Sequence, residues 1–230
     1  MEVRYARLPG LRMAYRSWGP PDARPVVALH GGSVAGQTWA GLAVALGDQA
    51  HLCAPDLRGF GGTDRPGAYS LELMCGDVRA LLDVLGLARV TLIGHSVGAV
   101  VAYLLAQAHP DRVAALVLAE PPPPVPVGLR LPPRPTGPLD YDWAAREAVV
   151  GQLNDPDPVW WERMAAITAP TLVVAGGPAS HLPQDRVAAV AGRIPGARLV
   201  TIDAGHAVHA TRPDEFHAVV REFLADADAD

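Results

Sequence analysis

The chain contains no lysine, so all 19 of its basic residues are arginine. Without an ε-amine there is no Schiff-base chemistry, no attachment point for pyridoxal phosphate and no phosphate-binding lysine of a P-loop. Cysteine is almost as scarce. Cys53 and Cys75 are the only two, in no CxxC pair and at no metal-ligand spacing, which excludes a disulfide framework and predicts buried thiols in a reducing compartment. No apolar run approaches the ~20 residues needed to span a bilayer; the longest lies around Gly98 to Ala106. The Met1-Glu2-Val3-Arg4 start lacks the apolar stretch of a signal peptide. These absences predict a soluble, cytoplasmic protein without a membrane partner. Charge of one sign is also missing in blocks: 24 acids against 19 bases give −5, too little positive footprint for a nucleic-acid partner.

What is present fits one globular α/β domain of 230 residues with a hydrophobic fraction of 50%. Two runs, Val3–Leu8 and Leu11–Trp18, flank the turn dipeptide Pro9-Gly10 and predict an antiparallel hairpin at a sheet edge. Six later runs are short and continuously apolar: Val26–Leu29, His51–Ala54, Val90–Ile93, Val113–Leu118, Thr171–Ala175 and Leu199–Ile202. Each predicts a strand covered on both faces, as in a mostly parallel sheet with helices on either side. Helical periodicity is clear after Ser70, a good N-cap followed by Met74, Val78, Leu81 and Leu82, and after Pro213, where Phe216, Val219, Val220 and Phe223 share a face. Residues 121–166 break the alternation. Between Pro121 and Pro158 lie 11 of the 23 prolines, so neither a long helix nor a central strand can form there. Residues 1–120 and 167–230 therefore predict the core, and 121–166 a small lid broken near Asp155-Pro156-Asp157-Pro158.

Arg89–Ile93 runs directly into Gly94-His95-Ser96-Val97-Gly98 and a helical segment, placing a G-x-S-x-G between strand and helix. Glycines there permit close backbone packing, and the sharp turn exposes the Ser96 hydroxyl above a helix N-terminus. With this elbow the sequence resembles the α/β-hydrolase fold family over almost its whole length. His30-Gly31-Gly32-Ser33 is similar to that family's oxyanion segment, with Trp39 at a common spacing. Asp56-Leu57-Arg58-Gly59-Phe60-Gly61-Gly62-Thr63-Asp64 is similar to its DxRGxGxSD loop, and Gly205-His206 to its catalytic-histidine segment.

The resemblance implies Ser96 as nucleophile, His206 as general base, and an oxyanion hole from the backbone N–H groups of Val97 and of Gly32 or Ser33, with Gly32 preferred. It implies no cofactor and no metal. His209, three residues past His206, is expected to be structural, because no third metal ligand has a recognisable spacing. His30 is expected to be a fixed turn residue. The usual acid slot after the next-to-last strand holds Ala179, so the acid must lie elsewhere. Glu120, at the end of the Val113–Ala119 run, is the preferred candidate and keeps the order Ser, Glu, His; Asp203 and Asp185 are the alternatives.

The resulting expectation is a cofactor-independent serine esterase acting through an acyl-enzyme on a small molecule with an apolar group. Aromatic residues make up only 6% of the chain, so the three tryptophans of the lid, Trp143, Trp160 and Trp161, stand out as substrate-binding candidates or as anchors for a lid without its own core. Arg130 and Arg134 are candidates for attracting a carboxylate. Two other readings use the same scaffold: a non-catalytic ligand-binding protein, motivated by Ala179, and a C–C bond hydrolase or perhydrolase. Epoxide-hydrolase and dehalogenase chemistry is disfavoured by the resemblance, because those members carry an aspartate where this chain has Ser96.

Overall fold

A strand buried on both faces must supply apolar side chains in alternation to two separate cores. A computed structural model of the chain, describing residues 2–227, does this along its central strands. In chain order the elements are β1 (Arg4–Leu8), β2 (Leu11–Trp18), β3 (Arg24–Leu29), α1 (Ala40–Leu46), β4 (Ala50–Pro55), α2 (Leu71–Val84), β5 (Val90–His95) and α3 (Val97–Ala108). They continue with β6 (Val113–Ala119), α4 (Trp143–Asn154), α5 (Pro158–Glu162), β7 (Thr171–Ala175), α6 (Gln184–Arg193), β8 (Arg198–Thr201), α7 (Val208–Thr211) and α8 (Pro213–Asp226).

One eight-stranded sheet has the order β1-β2-β4-β3-β5-β6-β7-β8. β1 pairs antiparallel with β2, and β2 antiparallel with β4, while every pair from β4 to β8 is parallel. On β6, Leu116 and Leu118 join the core under α2 and α3, whereas Val117 and Ala119 join the core under α1 and α8. Ser70 caps α2 by accepting the Leu73 N–H, and Pro213 opens α8. Both cysteines are buried, and burial pushes each thiol up to about 12, which leaves them inert at neutral pH.

One expectation needs correction. The run at Leu199–Ile202 is not covered on both faces. β8 ends the sheet order, and Leu199 is 41% exposed. Arg198 and Thr201 are exposed as well and Val200 is half-buried, a degree of cover that apolar composition alone does not reveal.

Residues 121–166 run between β6 and β7, and α4 and α5 break at Asp155-Pro156-Asp157 between them. The segment is stitched to the loop after β4 by a bridge between Phe60 and Tyr141 and by backbone bonds Gly61 N to Asp140 O and Asp142 N to Gly59 O. Asn154, the last residue of α4, donates to and accepts from the backbone of Leu129, pinning the proline-rich strap to the helix.

Candidate active site

The polar residues gather at the carboxyl ends of the parallel strands, where open α/β sheets hold their ligands. Ser96 directly follows β5 and adopts φ 52°, ψ −119°, a conformation costing about 1–3 kcal/mol for a residue with a side chain. Its surroundings enforce the turn. A Cβ at Gly98 would collide with the Leu29 backbone, and one at Gly94 with the backbone of Gly98 and Ala99. The turn is tied to β6 by Ser96 N donating to Ala119 O at 3.0 Å.

Glu120 follows β6 at φ 49°, and its side chain is fully buried. A buried carboxylate must be satisfied, and this one is. It accepts from Gly176 N at 2.5 Å, Gln184 Nε2 at 3.1 Å, His206 Nδ1 at 3.1 Å and the Ser180 hydroxyl. Burial pushes its carboxyl up, but the bonds from His206, Ser180, Gly176 and Gln184 outweigh this and hold it below the ordinary glutamate value. The turn 176–180, where Ala179 stands in the usual acid slot, thus supplies donors to a carboxylate arriving from the neighbouring strand.

His206 completes a continuous chain, with Nδ1 toward Glu120 and Nε2 at 2.9 Å from Ser96 Oγ. With Nδ1 donating to the carboxylate, Nε2 is left to accept the serine proton. Asp203 and Asp185 are exposed and lie outside this arrangement; Asp185 sits in the first turn of α6.

The Ser96 hydroxyl opens on a cavity of about 670 Å³. Gly32 and Val97 line it and Ser33 does not. Val97 is the first residue of α3, so its N–H has no carbonyl one turn earlier to bond. The Gly32 segment is held from beneath. His30 Nδ1 donates to Gly31 O at 2.7 Å and Nε2 accepts from Leu57 N at 2.8 Å, a neutral imidazole whose pKa is lowered by burial. Buried Asp56 accepts from Gly36 N, Gly62 N and Arg16 Nη1, tying the loop after β4 to the segment after β3 and to strand β2.

The three tryptophans do not line the cavity. Trp160 is 4% exposed in the core under α3, Trp143 is buried, and Trp161 packs against that core with Arg193 over its ring. Large apolar rings in a small insertion are consumed by anchoring it. The cavity wall from α4 is instead Arg146, Val149, Val150 and Leu153, at i, i+3, i+4 and i+7. Of the candidate arginines, Arg130 reaches the cavity and Arg134 does not.

Sequence reasoning also passes over two further residues. His95 and His181 flank the His206 ring at centroid distances of 4.9 and 4.2 Å. Burial lowers both pKa values, His95 well below the ordinary histidine value. The one signal the sequence carries for His95, at the x of the elbow, is a polar residue ending a buried strand. His209 is buried, stacks on Trp39 and bonds Thr38 Oγ1 through Nε2, and among the described residues no cluster suits a metal ion.

The profile of the alpha/beta hydrolase fold matches residues 24–166. The chain belongs to this hydrolase family. Epoxide hydrolase A of Mycobacterium tuberculosis (strain ATCC 25618 / H37Rv) is 38% identical over 111 residues, 46% of this chain and 34% of that protein. Lipase LipV of the same strain is 38% identical over 104 residues, covering 45% of this chain and 40% of that protein. The chain thus aligns with less than half the length of these curated relatives. A thermophilic esterase from Thermogutta terrifontis superposes with TM-score 0.84 at 25% identity, covering 99% of both chains. Among the described residues no helix is long and apolar enough to cross a membrane.

Proposed function

We propose that the protein is a serine hydrolase that cleaves a carboxylic ester or related acyl bond through an acyl-enzyme, and that Ser96, His206 and Glu120 do the chemistry. The observation that carries this reading is the unbroken hydrogen-bond chain from buried Glu120 through His206 to Ser96 Oγ, whose serine end opens on a cavity large enough for a small substrate.

Attack forms a bond from Ser96 Oγ to the acyl carbon while the hydroxyl proton passes to His206 Nε2. Glu120 stabilises the imidazolium and fixes the tautomer that left Nε2 free. The carbonyl oxygen becomes an oxyanion facing the N–H groups of Gly32 and Val97, each donor worth about 3 kcal/mol in such sites. Collapse breaks the bond to the leaving alcohol, which takes the proton from His206. Water then repeats the sequence on the acyl-enzyme and releases the acid. Every step uses side chains, backbone amides and water alone. The hydroxyl at the elbow supports acyl transfer over the epoxide opening named for one relative.

A fluorophosphonate probe tests the proposal. We expect stoichiometric labelling on Ser96 by peptide mass spectrometry, hydrolysis of short-chain aryl esters, and loss of both in Ser96→Ala. Absence of labelling together with absence of ester turnover, in folded protein, would falsify it and favour a ligand-binding role. Product analysis separates ester cleavage from C–C hydrolysis.

A further inference from the structure

Arg146 projects from α4 into the cavity that Ser96 faces, and it has no partner of its own. Among the described residues no carboxylate or carbonyl bonds its guanidinium. The natural helical partner is Asp142, four residues earlier, but that carboxylate is occupied: Oδ2 accepts from Tyr69 Oη at 2.6 Å and Oδ1 from Ala144 N at 3.1 Å. Arg146 Nη1 instead reaches over the Gly32 segment, to 2.6 Å from where a Cβ on residue 32 would stand. Gly32 has no positive φ to explain its identity, so its missing side chain leaves this space to the guanidinium.

No aspartate or glutamate lines the cavity among the described residues. Arg130, exposed on the strap at the same cavity, adds a second positive charge. The rest of the α4 wall is Val149, Val150 and Leu153, an apolar lining beside the Arg146 guanidinium. A half-buried arginine without a counter-ion loses hydration that no protein group replaces, and a planar guanidinium matches a carboxylate in two-point geometry.

We propose that Arg146 pairs with an ionised carboxylate on the substrate, so that the preferred substrates are half-esters or lactones carrying a second, free carboxyl group. This rests on the serine-hydrolase reading for its chemistry, but the anion site itself does not.

The test is a pH-stat assay of monoethyl succinate, glutarate and adipate against ethyl butyrate, valerate and hexanoate. For at least one chain length, kcat/KM should favour the half-ester by about tenfold or more through a lower KM, as expected of a charge-assisted pair, and the preference should shrink with added NaCl. Arg146→Gln should reduce that preference by about tenfold, and Arg146→Lys should retain part of it, since charge survives but the fork geometry does not. The lysine variant and the salt dependence decide the matter if the glutamine variant does not fold. Absence of any preference in the parent protein overturns the proposal, as does an equal fall in kcat on both ester classes in Arg146→Gln. If no ester is turned over and fluorophosphonate does not label Ser96, the hydrolase reading fails; whenever no ester is turned over, calorimetric titration with adipate decides this one. Saturable binding weakened by Arg146→Gln upholds the anion site, and no binding overturns it.

Discussion

His95 Nε2 donates a hydrogen bond to the backbone carbonyl of His206 at 2.8 Å. The residue before Ser96 thereby holds the loop that presents the imidazole to Ser96. Burial, reinforced by neighbouring histidines, keeps His95 neutral, and the bond requires its Nε2–H tautomer, leaving Nδ1 as a buried, unpaired lone pair against Gly31. His95→Leu removes the donor and strands a carbonyl. We expect kcat to fall about tenfold or more with little change in KM, because small displacements of a reacting group are costly. His95→Gln, which keeps a donor, should recover part of the loss. Fluorophosphonate labelling rates measured against pH provide the check, since a change confined to stability would leave the profile of folded protein unaltered.

Glu120→Gln keeps the volume but removes the charge opposite His206. Expected is a fall in kcat of about 10³–10⁴-fold, the scale seen when a triad carboxylate becomes an amide. Asp203→Asn and Asp185→Asn should change kcat by less than about twofold, since neither touches the hydrogen-bond chain. A larger loss at Asp203 would reassign the acid. The carboxyl also contributes to stability. Its folded pKa lies below the ordinary value, so the contribution is full above the ordinary glutamate range and fades as pH falls through the folded value. Urea denaturation between pH 7 and pH 3 should show a shallower acid loss in Glu120→Gln.

His209 supplies a separate pH response. Burial, with His206 and His217 nearby, lowers its pKa from 6.5 to about 4. The unfolded chain therefore binds a proton that the folded protein refuses, and stability falls as pH drops from 6.5 toward 4, by about 3 kcal/mol from this residue. His209→Gln can still bond Thr38 but does not titrate. Its denaturation midpoint should fall less steeply across that window than the parent's.

Trp160 is expected to act through packing. It is 4% exposed, and its carbonyl accepts from Gln107 Nε2 at 2.9 Å, fastening α5 to α3. Trp160→Ala should cost about 3–5 kcal/mol in chemical denaturation, the range for an aromatic core truncation. KM for a short ester should move by less than about threefold in protein that remains folded. A selective rise in KM would restore Trp160 to substrate contact.

The contrast between Ser96 and Arg146 explains what a sequence discloses about a site. Ser96 is nominated by local stereochemistry, because a strand, a sharp turn and a helix must follow within a few residues and only glycines fit at 94 and 98. Glu120 is legible for a related reason: it ends an apolar run one strand away. Arg146 carries no such mark. Its role depends on which face of α4 meets the cavity and on Asp142 being claimed by Tyr69, a residue 73 positions away. The tryptophans fail as guides for the converse reason, since bulk and apolarity suit a core and a pocket equally. Leu199 is apolar yet 41% exposed, because how far helices cover a strand depends on its place in the sheet order, which no single strand's sequence carries.

Because residue 98 has no side chain, the helix behind Ser96 rests directly on the main chain at the end of β3, just before the Gly32 segment. The turn that carries Ser96 and the strand end that leads to Gly32 are thus in direct backbone contact. Under the proposed mechanism, a change of substrate calls for redrawing α4 and the strap, which wall the cavity, while Ser96 and Gly32 stay where the sheet puts them.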